Sequence, residues 1–253
     1  MLLNAAARQA AALQRATFFK MLRVPEVLAP VDTSAMGEEE LSAAHVTALR
    51  TIEAEADAII ERHTPNLPEG AGELRQLWSA PAWPAEDRAA AHLQMASLAL
   101  SAQRVLLTSA QQDDRYLLAN SLKVRTCVAS ALGVVAVGEE ITVPPVTWLP
   151  NKLALVFSGA HFLQARRRPV IERLLQRFVD DLGPTFEVEA SDPSPSLRLT
   201  RCFYHDFFEA EGEPLLAPLF TAQHGGTFEG VPGYSFEDDG DGRCRFLFDG
   251  VPP

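Results

Sequence analysis

The chain has 253 residues, of which 47% are hydrophobic and 22% charged, with 33 acids against 22 bases and a net charge of −11. An apolar share near the globular average excludes a chain disordered throughout, and the acidic balance disfavours non-specific binding to phosphates, so no nucleic-acid partner is expected. No apolar run reaches the ~18 residues a bilayer span needs, and Cys127, Cys202 and Cys244 cannot build a disulfide framework; a soluble, intracellular, cytoplasmic protein without a membrane span is expected.

Met1 to Pro25 holds Arg8, Arg15, Lys20 and Arg23 and no acid. Acid-free, Arg-bearing N-termini can be organelle transit segments, which raises a plastid or mitochondrial destination as the alternative to the cytoplasm. The competing expectation is a first bundle helix, since the segment is poor in Ser and continues apolar through Phe18, Phe19, Met21 and Leu22.

The chain then reads helical for a long way. Glu38, Glu39 and Glu40 suit the positive end of a helix dipole, and Leu41, His45, Ala48, Ile52, Ala56 and Ile59 recur at three- and four-residue steps on one face. Residues 64–84 carry Pro65, Pro68, Gly72, Pro81 and Pro84 with Trp78 and Trp83, which predicts a loop with one short helix near 73–78. Helices are expected at about 86–110 and 113–135, a break at 138–150 around Pro144, Pro145 and Pro150, and helices again at about 151–166 and 169–182. Arg166, Arg167 and Arg168 form a basic triplet read as a solvated helix end, with an anion site as the alternative. Gly183-Pro184 ends the helical part, Gly as terminator and Pro beyond it.

Beyond Pro184 the hydrophobic period changes to two. Phe186–Glu189, Leu197–Thr200, Tyr234–Glu237 and Cys244–Phe248 read as four short strands, and Asp238-Asp239-Gly240-Asp241-Gly242 as the turn joining the last two. That turn lacks the residue order and trailing Glu of a calcium loop. Between the second and third strands lies a helical stretch, from Phe203 to about Gln223, broken near Gly212 and Pro214. The fold class is therefore α+β: a helical body over 1–183 packed on a small antiparallel sheet of about four strands in 184–253.

Chemistry concentrates between Leu197 and Pro214. Cys202 falls where a strand runs into a helix, so unsatisfied amides and the helix dipole point at its sulfur and favour a thiolate, with Arg201 adding to the effect. His205, three residues on, shares a helical face with Cys202, and thiol plus imidazole is the minimum set for nucleophilic catalysis. On this reading Cys202 attacks an electrophilic carbon, His205 or His224 moves protons, Asp206 orients an imidazole or faces a cationic substrate, and Arg201 or Arg243 takes a substrate carboxylate. Cys202, His205, Glu209 and His224 could also converge on a metal; no metal is assigned and no cofactor is expected. Cys244, on the strand face of Phe246 and Phe248, reads as buried.

These residues carry a resemblance. Leu199-Thr200-Arg201-Cys202, then Tyr204-His205-Asp206-Phe207-Phe208, Glu211-Gly212-Glu213-Pro214 and Leu219-Phe220 resemble the L-2-amino-thiazoline-4-carboxylic acid hydrolase family, and Phe236, Gly240-Asp241 and Cys244-Arg245-Phe246 are similar to its closing hairpin. The likeness covers about 150–250 and is specific over 197–248. It implies a helical body with a small sheet and hydrolytic opening of a cyclic amidine-like ring to an N-carbamoyl-cysteine. One departure stands out: the family's Cys-x-x-Asp after the Leu-Phe step is here Thr221, Ala222, Gln223 and His224. The expected partner is a small-molecule substrate or ligand; the alternative to catalysis is a non-catalytic ligand-binding or assembly protein on the same scaffold.

Overall fold

The structure is a computed structural model that describes residues 2–24, 27, 38–67, 85–110, 117–132, 135–137, 140–142, 167–191 and 195–250. Of the loop expected at 64–84 the structure describes only the start, where Thr64–Asn66 form a single 3-10 turn; its remainder with the short helix, and the helix expected at 151–166, lie outside the described residues. The chain divides into two compact units, Met1–Asn66 with Ala90–Thr142, and Leu67–Ala89 with Val143–Pro253. The boundary expected at 183/184 falls inside the second of these.

Helix α1 spans Leu2–Met21, α2 Glu38–His63, α3 Ala85–Ala110 and α4 Leu117–Ala131; all belong to the first unit except the opening residues of α3, up to Ala89, which belong to the second. The periodic face of α2 is the one it buries: Ala48, Ile52, Ala56 and Ile59 are all inside. Phe18, Leu22 and Val24 are buried as well, and Arg15 on α1 pairs with Asp57 at 2.8 Å and Glu53 at 3.2 Å on α2. Arg15 thus sits at the rim of a buried apolar stripe, the bundle-helix arrangement. Helix α3 is buried on nearly every side from Ala96 to Gln103, which its run of Ala and Ser permits because small side chains let neighbours approach closely.

The helix expected to reach residue 135 stops at Ala131 and is followed by a hairpin, β1 (Val135–Val137) with β2 (Glu140–Thr142). Gly133 is a poor helix residue, and the β-branched Val134, Val135, Val137, Ile141 and Thr142 favour extended pairing. Among the described residues no helix is long and apolar enough to cross a membrane.

The second unit holds helix α5 (Arg167–Leu182), whose buried Ile171, Leu175, Phe178 and Leu182 recur at four, three and four residues. Gly183, at φ +68°, ends it in the left-handed conformation that suits glycine, ahead of Pro184. A four-stranded antiparallel sheet follows: β3 (Glu187–Ser191), β4 (Ser196–Arg201), β5 (Tyr234–Asp238) and β6 (Cys244–Phe248), in spatial order β3-β4-β6-β5. The α+β class expected from the change of hydrophobic period is the observed one. Leu197 lies opposite Phe246 and Leu199 opposite Cys244, so one face of the central strands is wholly apolar. Phe178 of α5 seats on that face, 5.0 Å from the ring of Phe246 and 5.4 Å from Phe228, and Phe228 also meets Phe248 at 5.5 Å.

Two arginines of the triplet, Arg167 and Arg168, have structural uses. Arg167 donates to the carbonyls of Gly250 (3.1 Å), Asp249 (3.3 Å) and Pro232, clasping the two ends of the β5–β6 hairpin, while Arg168 bonds Glu172 at 2.7 Å. Backbone oxygens and a carboxylate thus hold Arg167 and Arg168, and Arg166 lies outside the described residues.

Candidate active site at a strand–helix joint

Helix α6 (Phe203–Ala210) leaves the end of β4 after a single residue, Cys202, whose φ −110° and ψ 119° are extended. Its carbonyl accepts the first helical bond, from the Asp206 amide at 3.2 Å. The helix ends in a Schellman motif: Gly212, at φ +75°, donates to the Glu209 carbonyl and Glu213 to that of Phe208 at 2.8 Å. Eight residues between two firm ends give α6 one apolar face, Tyr204, Phe207 and Phe208, all buried. The opposite side carries His205, Asp206 and Glu209. The strand–helix joint expected at Cys202 is therefore real, and its chemistry depends on which way each side chain turns.

Cys202 turns inward. It is 3% exposed, and burial pushes its thiol up to about 11. The amides of His205 and Tyr204 do lie toward the sulfur and favour its charge, but less strongly than burial opposes it, and neither forms a side-chain cap bond. The expectation of a thiolate at this joint is corrected: helix amides stabilise a charge they can reach, yet a sulfur removed from water loses more than two amides return. Cys244 is buried too, 1% exposed, and its thiol is pushed up by burial first and by nearby Cys202 second.

The buried thiol makes stability sensitive to alkali. The folded protein holds the Cys202 proton more tightly than the unfolded chain, from the ordinary value of 9.0 up to about 11. Stability is then full below pH 9.0 and falls as the pH rises toward 11. Between about pH 8 and about pH 10.5 the loss from this thiol is about 2 kcal/mol, seen as a fall in the unfolding free energy from urea titrations that is smaller by that amount in Cys202→Ala. At neutral pH native Cys202 is expected to react with iodoacetamide far more slowly than glutathione does; alkylation at the rate of a free thiol would overturn the assignment of a sealed sulfur.

The outward residues form a continuous polar cluster. Arg201 Nε bonds Asp206 Oδ2 at 2.6 Å and its Nη1 lies 3.5 Å from Glu187 on β3, contacts that hold the guanidinium firmly charged. His205 Nδ1 lies 3.8 Å from Asp206 Oδ1 and 3.8 Å from Glu209 Oε2. Both distances exceed a hydrogen bond, so the imidazole is flanked by two carboxylates in electrostatic reach without being tied to either. Its side chain is 28% exposed, against 42% for Asp206 and 72% for Glu209. A partly exposed imidazole with a carboxylate on each side is equipped to take up and return a proton.

The remaining candidates are placed elsewhere. Helix α7 (Ala217–Gly225) buries both Thr221 and His224. Thr221 Oγ1 donates to the Ala217 carbonyl at 3.3 Å, and the His224 ring packs against Phe186 and Tyr204 at 5.5 Å each and Phe178 at 6.0 Å. Thr221 is thus an inward hydroxyl and His224 an imidazole among aromatic rings. Arg243, in the β5–β6 turn, forks onto the Asp241 carboxylate, with Nε at 2.9 and 3.0 Å, an exposed pair that raises the arginine and lowers the aspartate. Arg201 and Arg243, expected to receive a substrate carboxylate, thus each already hold a carboxylate of the chain. Among the described residues no group of three or more His, Cys, Asp and Glu is placed to hold a metal ion, so Cys202, His205, Glu209 and His224 do not converge on one.

Two site features carry no clear mark in the sequence. Glu187 joins the cluster across the β3–β4 pair, which a strand's alternation could have suggested only with the register known. Gly242 lies against the His205 ring, a contact 37 residues apart in the chain that no local signal announces. No family model, no curated protein and no solved structure matches the chain.

Proposed function

We propose that the chain is a hydrolase-like protein resembling the L-2-amino-thiazoline-4-carboxylic acid hydrolases, opening a small cyclic amidine at a site centred on His205. The observation that carries the reading is the partly exposed imidazole flanked at 3.8 Å by Asp206 and Glu209, inside the stretch where the resemblance is specific. In this reading His205 takes a proton from water as the water oxygen bonds to the amidine carbon. The carbon–sulfur bond then breaks: the sulfur takes that proton from the imidazolium and becomes a thiol still tethered to the product, while the adduct hydroxyl gives its own proton to solvent as the former amidinium carbon becomes the carbonyl of an N-carbamoyl group. Asp206 and Glu209 face the cationic amidinium and stabilise the imidazolium. Cys202 anchors the start of α6 as a neutral thiol.

The product supplies the test. Incubation with L-2-amino-thiazoline-4-carboxylate is expected to release free thiol in proportion to protein, measured with Ellman's reagent. No release above a buffer blank, with this compound and a panel of related cyclic amidines, would sink the proposal. The non-catalytic reading is favoured by a different observation: Cys202, Thr221 and His224 are all directed into the core. Saturable binding of the thiazoline by calorimetry, without thiol release, would establish it instead.

A further inference from the structure

We propose that Gly242 is a positioning residue for His205, and that the β5–β6 turn is the wall against which the imidazole is held. The proposal rests on the assignment of His205 above. A Cβ added at Gly242 would lie 2.6 Å from His205 Cγ, 2.7 Å from its Cβ and 3.1 Å from Nδ1. Real Cβ atoms do not approach so closely, and the atoms met are the root of the ring, which cannot swing aside as the tip of a long side chain can. The hydrogen at this position is thus what allows the turn to touch the imidazole.

The turn is built to stay in place. The Asp239 amide donates to the Arg243 carbonyl at 2.9 Å and the Gly240 amide to Asp238 Oδ1 at 2.9 Å. The Arg243 amide donates to Asp241 Oδ1 at 3.3 Å, and the Arg243 guanidinium closes on the same carboxylate. Arg245 on β6 reaches Glu237 at 3.2 Å and Asp239 at 3.6 Å. A braced turn on one side and α6 on the other bound the ring, whose Nδ1 lies 3.8 Å from a carboxylate oxygen of Asp206 and of Glu209. The acidic run therefore has a use that needs no metal: its carboxylates brace the turn.

Gly240 supplies the control. It shares the left-handed backbone, φ +80° against +78° for Gly242, but a Cβ there meets nothing within 4 Å. Gly240→Ala and Gly242→Ala both place a side chain at a positive φ of nearly the same value, and only the second pushes the ring. The His205 ring resonances are assigned by their loss in His205→Gln. Gly242→Ala is expected to shift them and to lower thiazoline turnover about 100-fold, as an ångström-scale misplacement does. Gly240→Ala is expected to leave both near wild type. Ring resonances unmoved in Gly242→Ala, or moved equally in Gly240→Ala, would overturn the proposal. If the wild type turns over no thiazoline, the hydrolase reading falls while the resonances still decide the positioning. Should Gly242→Ala fail to fold, Arg243→Gln unties the brace without adding a Cβ; shifted or broadened His205 resonances then support the wall, and unchanged ones refute it.

Discussion

Phe246→Ala is expected to destabilise the C-terminal unit by about 3–5 kcal/mol, among the largest costs of any single truncation there. The ring is fully buried on the central strand β6 and meets Phe178 at 5.0 Å, Phe236 at 5.2 Å and Phe228 at 5.9 Å. It lies opposite Leu197 on β4, so its removal opens a cavity shared by a helix, two neighbouring strands and the segment after α7. Close-packed interiors relax only partly around such a hole, and the lost contacts add to the lost burial. Hydrogen exchange at the β4 and β6 amides gives the readout. Leu247→Ala, one residue away on the half-buried opposite face, is expected to cost about 1 kcal/mol or less. Equal exchange rates in the two variants would contradict the assignment of the core to one face of the sheet.

Replacing His205 by Ala is expected to lower thiazoline turnover by about 10²- to 10⁴-fold with little change in thermal midpoint, because a positioned acid–base group contributes on that scale and the side chain is partly in water. Cys202→Ala should do the reverse. It removes a buried sulfur, lowering stability modestly, and leaves turnover within about tenfold of wild type, because a thiol raised to about 11 carries almost no thiolate near neutrality. Asp206→Asn belongs between them: it weakens the 2.6 Å bond to Arg201 and removes one of the two charges beside the imidazole. If Cys202→Ala abolished turnover as fully as His205→Ala while retaining its fold, the nucleophile would return to the sulfur and the water mechanism would be wrong.

The contrast between these two residues marks how far local sequence reaches. Cys202 lies at the strand–helix joint that Leu197–Arg201 and Phe203–Ala210 announce, and the amides do point its way. Its ionisation depends on apolar side chains brought from elsewhere to exclude water, so the helix-start argument identified the position and mistook its charge. Residues 135–137 show a smaller version of the same problem. A Val-rich stretch after an Ala-rich helix reads as its continuation, and pairing with Glu140–Thr142 makes it a strand.

Sequence alone determined the elements: the 3.6-residue stripe of α2 and α5, the two-residue alternation of β3 to β6, the Gly183 and Gly212 stops, and the polar run His205, Asp206, Glu209 on one side of a short helix. These are local properties, set by steric limits on φ and by the spacing of apolar side chains over one or two turns. Tertiary structure decided the order β3-β4-β6-β5, the burial of Cys202, Thr221 and His224, the capture of Arg167, Arg201 and Arg243 by groups of the chain, and the seating of Gly242 on His205. Desolvation and close contact are sums over neighbours distant in the chain, and no window of a few residues contains them.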